Sequence, residues 1–118
     1  MSMSALEMHR LGPISAIPPG EGRTFRVGGR DVAVFRTRTG DVFATQAACP
    51  HRGAPLADGI VGGTHVVCPF HAYTFDLTTG EPVMNSCPAL KTYLTTVDGE
   101  GEIRISMEEE DQPQPCLR

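Results

Sequence analysis

Cys49-Pro50-His51-Arg52-Gly53 and Cys68-Pro69-Phe70-His71 decide how this chain is read. The first segment is C-x-H, the second is C-x-x-H, and sixteen residues separate them. Each half therefore offers one sulfur and one ring nitrogen. If each half is a tight loop and the loops face each other across a metal centre, both thiolates can converge on one iron and both imidazoles on another, the unequal ligation of a [2Fe-2S] centre with two histidines. Zinc also accepts two cysteines and two histidines, but its usual spacing puts like ligands together in one half, whereas each half here is mixed. A Cys49–Cys68 disulfide is the third reading, and it fits poorly with a chain that shows no sign of secretion.

The residues beside these ligands make the loops stiff. Pro50 and Pro69 each fix φ and remove a backbone donor next to a cysteine, and Gly53 can take the positive φ of a tight turn. Stiffness suits an electron carrier, because rearrangement on reduction adds to the barrier. The remaining N–H groups can point at the cluster sulfurs and tune the potential.

Outward from the two loops the chain is strand and turn. Glu7 to Ile14 reads as an edge strand closed by Ile17-Pro18-Pro19-Gly20. Thr24 to Val27 and Arg30 to Arg36 flank Gly28-Gly29 and predict a β-hairpin, and Val42-Phe43-Ala44 leads toward Cys49. Pro55 to Gly59 and Gly62-Gly63 are turn material; Thr64 to Val67 is a short strand presenting Cys68. Tyr73 to Leu77 alternates and ends at the turn Thr78 to Pro82; Leu90 to Val97 and Glu102 to Met107 are the last strands. Many short strands without a helical period predict an all-β antiparallel sandwich or barrel, with the ligand loops as a small subdomain at about residues 47–88. The 118 residues, with 13 Gly and 10 Pro, suffice for one domain, residues 1–107. The segment 108–118 reads as a disordered acidic tail.

These features resemble the Rieske family, over roughly residues 6–106, and the resemblance implies one [2Fe-2S] cluster per chain held by Cys49, His51, Cys68 and His71. High-potential members carry an extra cysteine in each loop, joined as a disulfide; the corresponding positions here are Ala54 and Phe70. They also place a serine and a tyrosine hydroxyl near the cluster; the matching positions here are Tyr73 and Phe75. Without those donors the potential is expected near the lower end of the Rieske range, on the order of −150 mV. The pattern is similar to soluble Rieske ferredoxins, which carry single electrons from a reductase to a terminal oxygenase. Val32-Ala33-Val34-Phe35-Arg36 and Phe75-Asp76-Leu77-Thr78-Thr79-Gly80 also resemble the small subunit of assimilatory NAD(P)H nitrite reductases. Many of those subunits have lost the four ligands that this chain keeps. A zinc-stabilised structural module is the remaining alternative. In either redox reading the partners are redox proteins, a reductase and an oxygenase or a nitrite reductase large subunit. No G-x-G-x-x-G opens a helix, so no nucleotide site or substrate pocket is expected in this chain.

Charge and the remaining ligand-type residues bound the reading further. Up to Arg52 seven arginines face four acids, a local +3; beyond it three basic residues face ten acids, a local −7. That balance speaks against nucleic acid. With no signal peptide and no apolar run long enough to span a bilayer, a cytoplasmic protein without a membrane partner is expected. His9 and His65 read as surface or packing residues, and Cys116 as an exposed thiol with no metal role. Cys87 reads as a buried, inert thiol, and its neighbour Pro88 falls where the resemblance places a proline shielding the cluster. Arg52 reads as a solvated or docking arginine, and His51 and His71 as the exposed edge through which electrons pass.

Overall fold

The computed structural model describes residues 6–50, 53–69 and 73–108. His51, Arg52, Phe70, His71 and Cys116 lie outside the described residues, as does nearly all of the expected acidic tail. Among the described residues ten strands follow in order: β1 (Leu6–Pro13), β2 (Glu21–Val27), β3 (Arg30–Arg36), β4 (Val42–Gln46), β5 (Ile60–Gly62), β6 (His65–Val67), β7 (Thr74–Asp76), β8 (Pro82–Val83), β9 (Thr92–Val97) and β10 (Glu102–Glu108). They form two antiparallel sheets, one in the order β1-β10-β9-β4-β3-β2 and one in the order β5-β6-β7-β8. The all-β expectation holds.

The β2–β3 hairpin shows why the local sequence folds this way. Val27 pairs with Arg30 across a two-residue turn, and both turn residues need positive φ, which Gly28 (57°) and Gly29 (83°) adopt. Two strands were not anticipated. Ile60–Gly62 is only three residues long, too short for alternation to register, yet it pairs with β6 through Ile60–Val67 and Val61–Val66. The turn expected to end at Pro82 runs into a two-residue strand, Pro82–Val83. A proline is tolerated there because β8 is the edge of its sheet and needs no outward N–H donor.

β3 joins the two halves of the molecule. Its side chains alternate, so Val32 and Val34 pack with Ile17, Ala44, Tyr93, Ile103, Ile105 and Met107. Ala33 and Phe35 face the other way, into a second core with Leu56, Val66, Phe75, Leu77, Leu90 and three cysteines, Cys49, Cys68 and Cys87. All four of these β3 residues are fully buried, which is the pattern of a strand covered on both faces.

Candidate metal centre

The two cysteine loops are closed in the same way. The Cys49 N–H donates to the Ala54 carbonyl at 2.8 Å, and the Cys68 N–H donates to the Tyr73 carbonyl at 2.7 Å, so each loop returns to its cysteine after five residues. The first loop is tightened by the Gly53 N–H on the Cys49 carbonyl at 2.7 Å, with Gly53 at φ 77°. It stands on a bridge between Ala48 and Pro55 and on the Leu56 N–H to Ala47 carbonyl bond. The second loop caps the β6–β7 hairpin, where Val67 pairs with Thr74.

This construction brings Cys49 and Cys68 into one apolar core, 1% and 2% exposed. Among the described residues no cysteine is in a disulfide, so the Cys49–Cys68 cross-link is not formed. The other two candidate ligands, His51 and His71, lie outside the described residues. Two buried thiols in one core, each on a loop closed by the same kind of backbone bond, fit a thiolate-ligated cluster, since sulfur is the ligand that iron–sulfur centres require and burial keeps competing water away. When bound, such a cluster supplies a one-electron couple.

The surroundings match the sequence in several places. Phe75 is fully buried in the cysteine core and Ala54 is 2% exposed, so neither a phenolic hydroxyl nor a sulfur occupies those positions. Cys87 is buried in the same core, beside half-buried Pro88. His65 is exposed and pairs across strands with Asp76; His9 is half-buried on β1. Asp76 holds the β7–β8 turn. Its carboxylate accepts the Thr78 hydroxyl at 2.7 Å and the Thr78 N–H at 2.9 Å. These two bonds, in that order, keep its carboxyl below the usual carboxylate range, with a smaller contribution from His65.

Two amide side chains passed over in the sequence are prominent here. Gln46 bonds both Ala48 and Lys91, and Asn85 bonds Thr74, Val83 and Cys87. The sequence signal for Gln46 was a polar pair, Thr45-Gln46, ending a strand that begins Val42-Phe43-Ala44, three positions before Cys49.

Residues 7–96 match the Rieske [2Fe-2S] domain family. The ferredoxin component of the naphthalene 1,2-dioxygenase system of Pseudomonas aeruginosa is 32% identical over 88 residues, which cover 71% of this chain and 81% of that protein. The 4beta-methylsterol monooxygenase of Methylococcus capsulatus is 38% identical over 60 residues, but this chain spans only 16% of its length. Among solved structures, one described as an NADH-dependent nitrite reductase small subunit of Mycobacterium tuberculosis superposes with a TM-score of 0.81 at 26% identity, over 87% of this chain and 96% of that one. The chain belongs to the Rieske [2Fe-2S] domain family, and its cofactor is a [2Fe-2S] cluster rather than zinc.

Proposed function

We propose that this chain is a Rieske-type ferredoxin, which carries one electron at a time from a reductase to a terminal oxygenase or a related oxidoreductase. Cys49, His51, Cys68 and His71 hold its one cluster. The observation that carries this reading is the pair of buried cysteines, each at the start of a loop closed in the same way and each followed within three residues by a histidine. Residues 47–88 form the cluster-binding subdomain of a domain spanning 1–107. The histidines of the two loops are the edge at which electrons enter and leave. Partners are redox proteins that dock briefly, over less than about 1,200 Å². Among the described residues no helix is long and apolar enough to cross a membrane.

The likeness to a nitrite reductase small subunit supports a second reading, in which the chain is a resident subunit of that enzyme. Both readings use the same cluster and differ in how tightly the partner is held. Anaerobic purification, EPR of the dithionite-reduced protein and a pull-down from the native cell test them. One unpaired spin per chain and a monomer that reduces an oxygenase support the ferredoxin; stable co-elution with a large nitrite-reducing subunit supports the alternative. A reduced protein without an EPR signal excludes both.

A further inference from the structure

We propose that Gln46 and Asn85 are positioning residues: two amide side chains that fasten the segment 84–91, which carries Cys87 and Pro88, against the two cysteine loops and so limit how far water reaches the cluster. This rests on the ligand assignment proposed above.

Gln46 ends β4 and is 3% exposed. Its N–H donates to the Lys91 carbonyl at 2.8 Å, and its Oε1 accepts the Lys91 N–H at 2.7 Å. Its Nε2 donates to the carbonyl of Ala48, the residue before Cys49, at 2.7 Å. Only one orientation of the amide serves both side-chain partners, because Lys91 offers a donor and Ala48 an acceptor. Asn85 does the same at the other end. Its Nδ2 donates to the Thr74 carbonyl at 3.2 Å and to the Val83 carbonyl at 3.3 Å, while its Oδ1 accepts the Cys87 N–H at 3.0 Å. Thr74 follows directly on Tyr73, which closes the second cysteine loop.

The segment is thus fastened at its start to the exit of the second loop and at its end to the entrance of the first. Met84 shows that it is held under constraint. This residue has φ 62° and is 98% exposed, so it gives the core nothing in return for a left-handed backbone. The bonds of Asn85 offset that cost. Between the two fastenings Cys87 and Leu90 pack into the same core as Cys49 and Cys68, which holds the segment to the cysteine loops. Losing either amide breaks its part-buried bonds to the backbone, where a half-satisfied network is costly. The closed segment then opens more often, and water gains access to the sulfurs.

Gln46→Met keeps the size and removes the amide; Gln46→Glu keeps the acceptor for Lys91 but loses the donor to Ala48; Asn85→Ala removes the other fastening. Each is compared with Ile103→Val, which loosens the opposite core. Two quantities are read: the deuteron modulation of the reduced cluster in D2O by pulsed EPR, and the rate of iron release to a chelator. Gln46→Met and Asn85→Ala should deepen the modulation and speed release about tenfold, the effect of a part-buried hydrogen-bonded pair being broken. Gln46→Glu should fall between, and Ile103→Val should match the wild type despite a lower Tm. Wild-type modulation and release in Gln46→Met and Asn85→Ala overturn the proposal, as does an equal change in Ile103→Val at the same loss of Tm. If Gln46→Met fails to fold, Asn85→Ala alone decides. A wild-type protein with no cluster signal overturns the ligand assignment itself, and the clamp with it; a cluster that is present but indifferent to both amides overturns only the clamp.

Discussion

Val34 and Phe35 are successive residues of β3, both fully buried, and they belong to different cores. Val34 packs into the core beneath the six-stranded sheet, and Phe35 into the core that holds the three buried cysteines. The strand is therefore the wall between the scaffold and the cluster loops.

Truncating these neighbours should separate fold from site. Phe35→Ala is expected to cost about 3–5 kcal/mol and Val34→Ala about 2 kcal/mol of stability. Only Phe35→Ala should speed iron loss well below its Tm, because it empties part of the core that holds Cys49 and Cys68. Thermal melts and chelator kinetics at one temperature measure both. Equal iron release from the two variants would show that the cores are not independent.

The ligand set predicts which cysteines matter. Cys49→Ser and Cys68→Ser should abolish the visible cluster absorption after reconstitution, and so should His51→Ala and His71→Ala. Cys87→Ser and Cys116→Ser should retain one cluster per chain by iron and sulfide analysis. A colourless Cys87→Ser protein that is otherwise folded would place that thiol among the ligands.

The potential follows from which donors are present. With a phenyl ring at Phe75 and no loop disulfide, the midpoint should lie on the order of −150 mV. Tyr73→Ser restores one hydroxyl donor at the loop exit. It should raise the midpoint by about 60 mV, the one-electron equivalent of a tenfold change in equilibrium constant. Protein-film voltammetry gives both values, and a wild-type midpoint well above zero would contradict the assignment.

Removing the cluster should loosen both loops at once. The amides of Cys49 and Cys68 are protected by bonds to Ala54 and Tyr73, and a cluster that ties the loops together contributes to their stability. Hydrogen exchange at these two amides should speed up in the iron-free protein by at least about tenfold. Those of β2 and β3 should stay protected. Unchanged exchange at Cys49 and Cys68 would mean that the loops are built by the protein alone.

Acid should weaken the β7–β8 turn. The Asp76 carboxyl is held below its ordinary value by the Thr78 hydroxyl and N–H, so its contribution is present above the unfolded pKa of about 3.9 and is lost as pH falls through the lower folded value. Thr78→Val should reduce the stability difference between pH 7 and pH 3, modestly because the site is exposed. Denaturant melts at the two pH values measure it, and an unchanged difference would exclude the hydroxyl as the main cause.

The spacing of Cys49, His51, Cys68 and His71 pointed to the cofactor, because iron–sulfur chemistry dictates ligand types and a short loop dictates their separation; the family match over residues 7–96 set zinc aside. Strand alternation and the Gly28-Gly29 turn likewise settled the β class and the hairpin, since both are local properties of the backbone. Ile60–Gly62 and Pro82–Val83 became strands only by pairing with β6 and β7, a non-local gain that so few residues cannot signal. The partition of β3 between two cores, and the ties from Gln46 and Asn85 to the cysteine loops, were decided by the tertiary structure alone. Gln46 reaches across 45 residues to Lys91, and no local pattern in a sequence encodes which distant carbonyl or N–H a buried amide will meet.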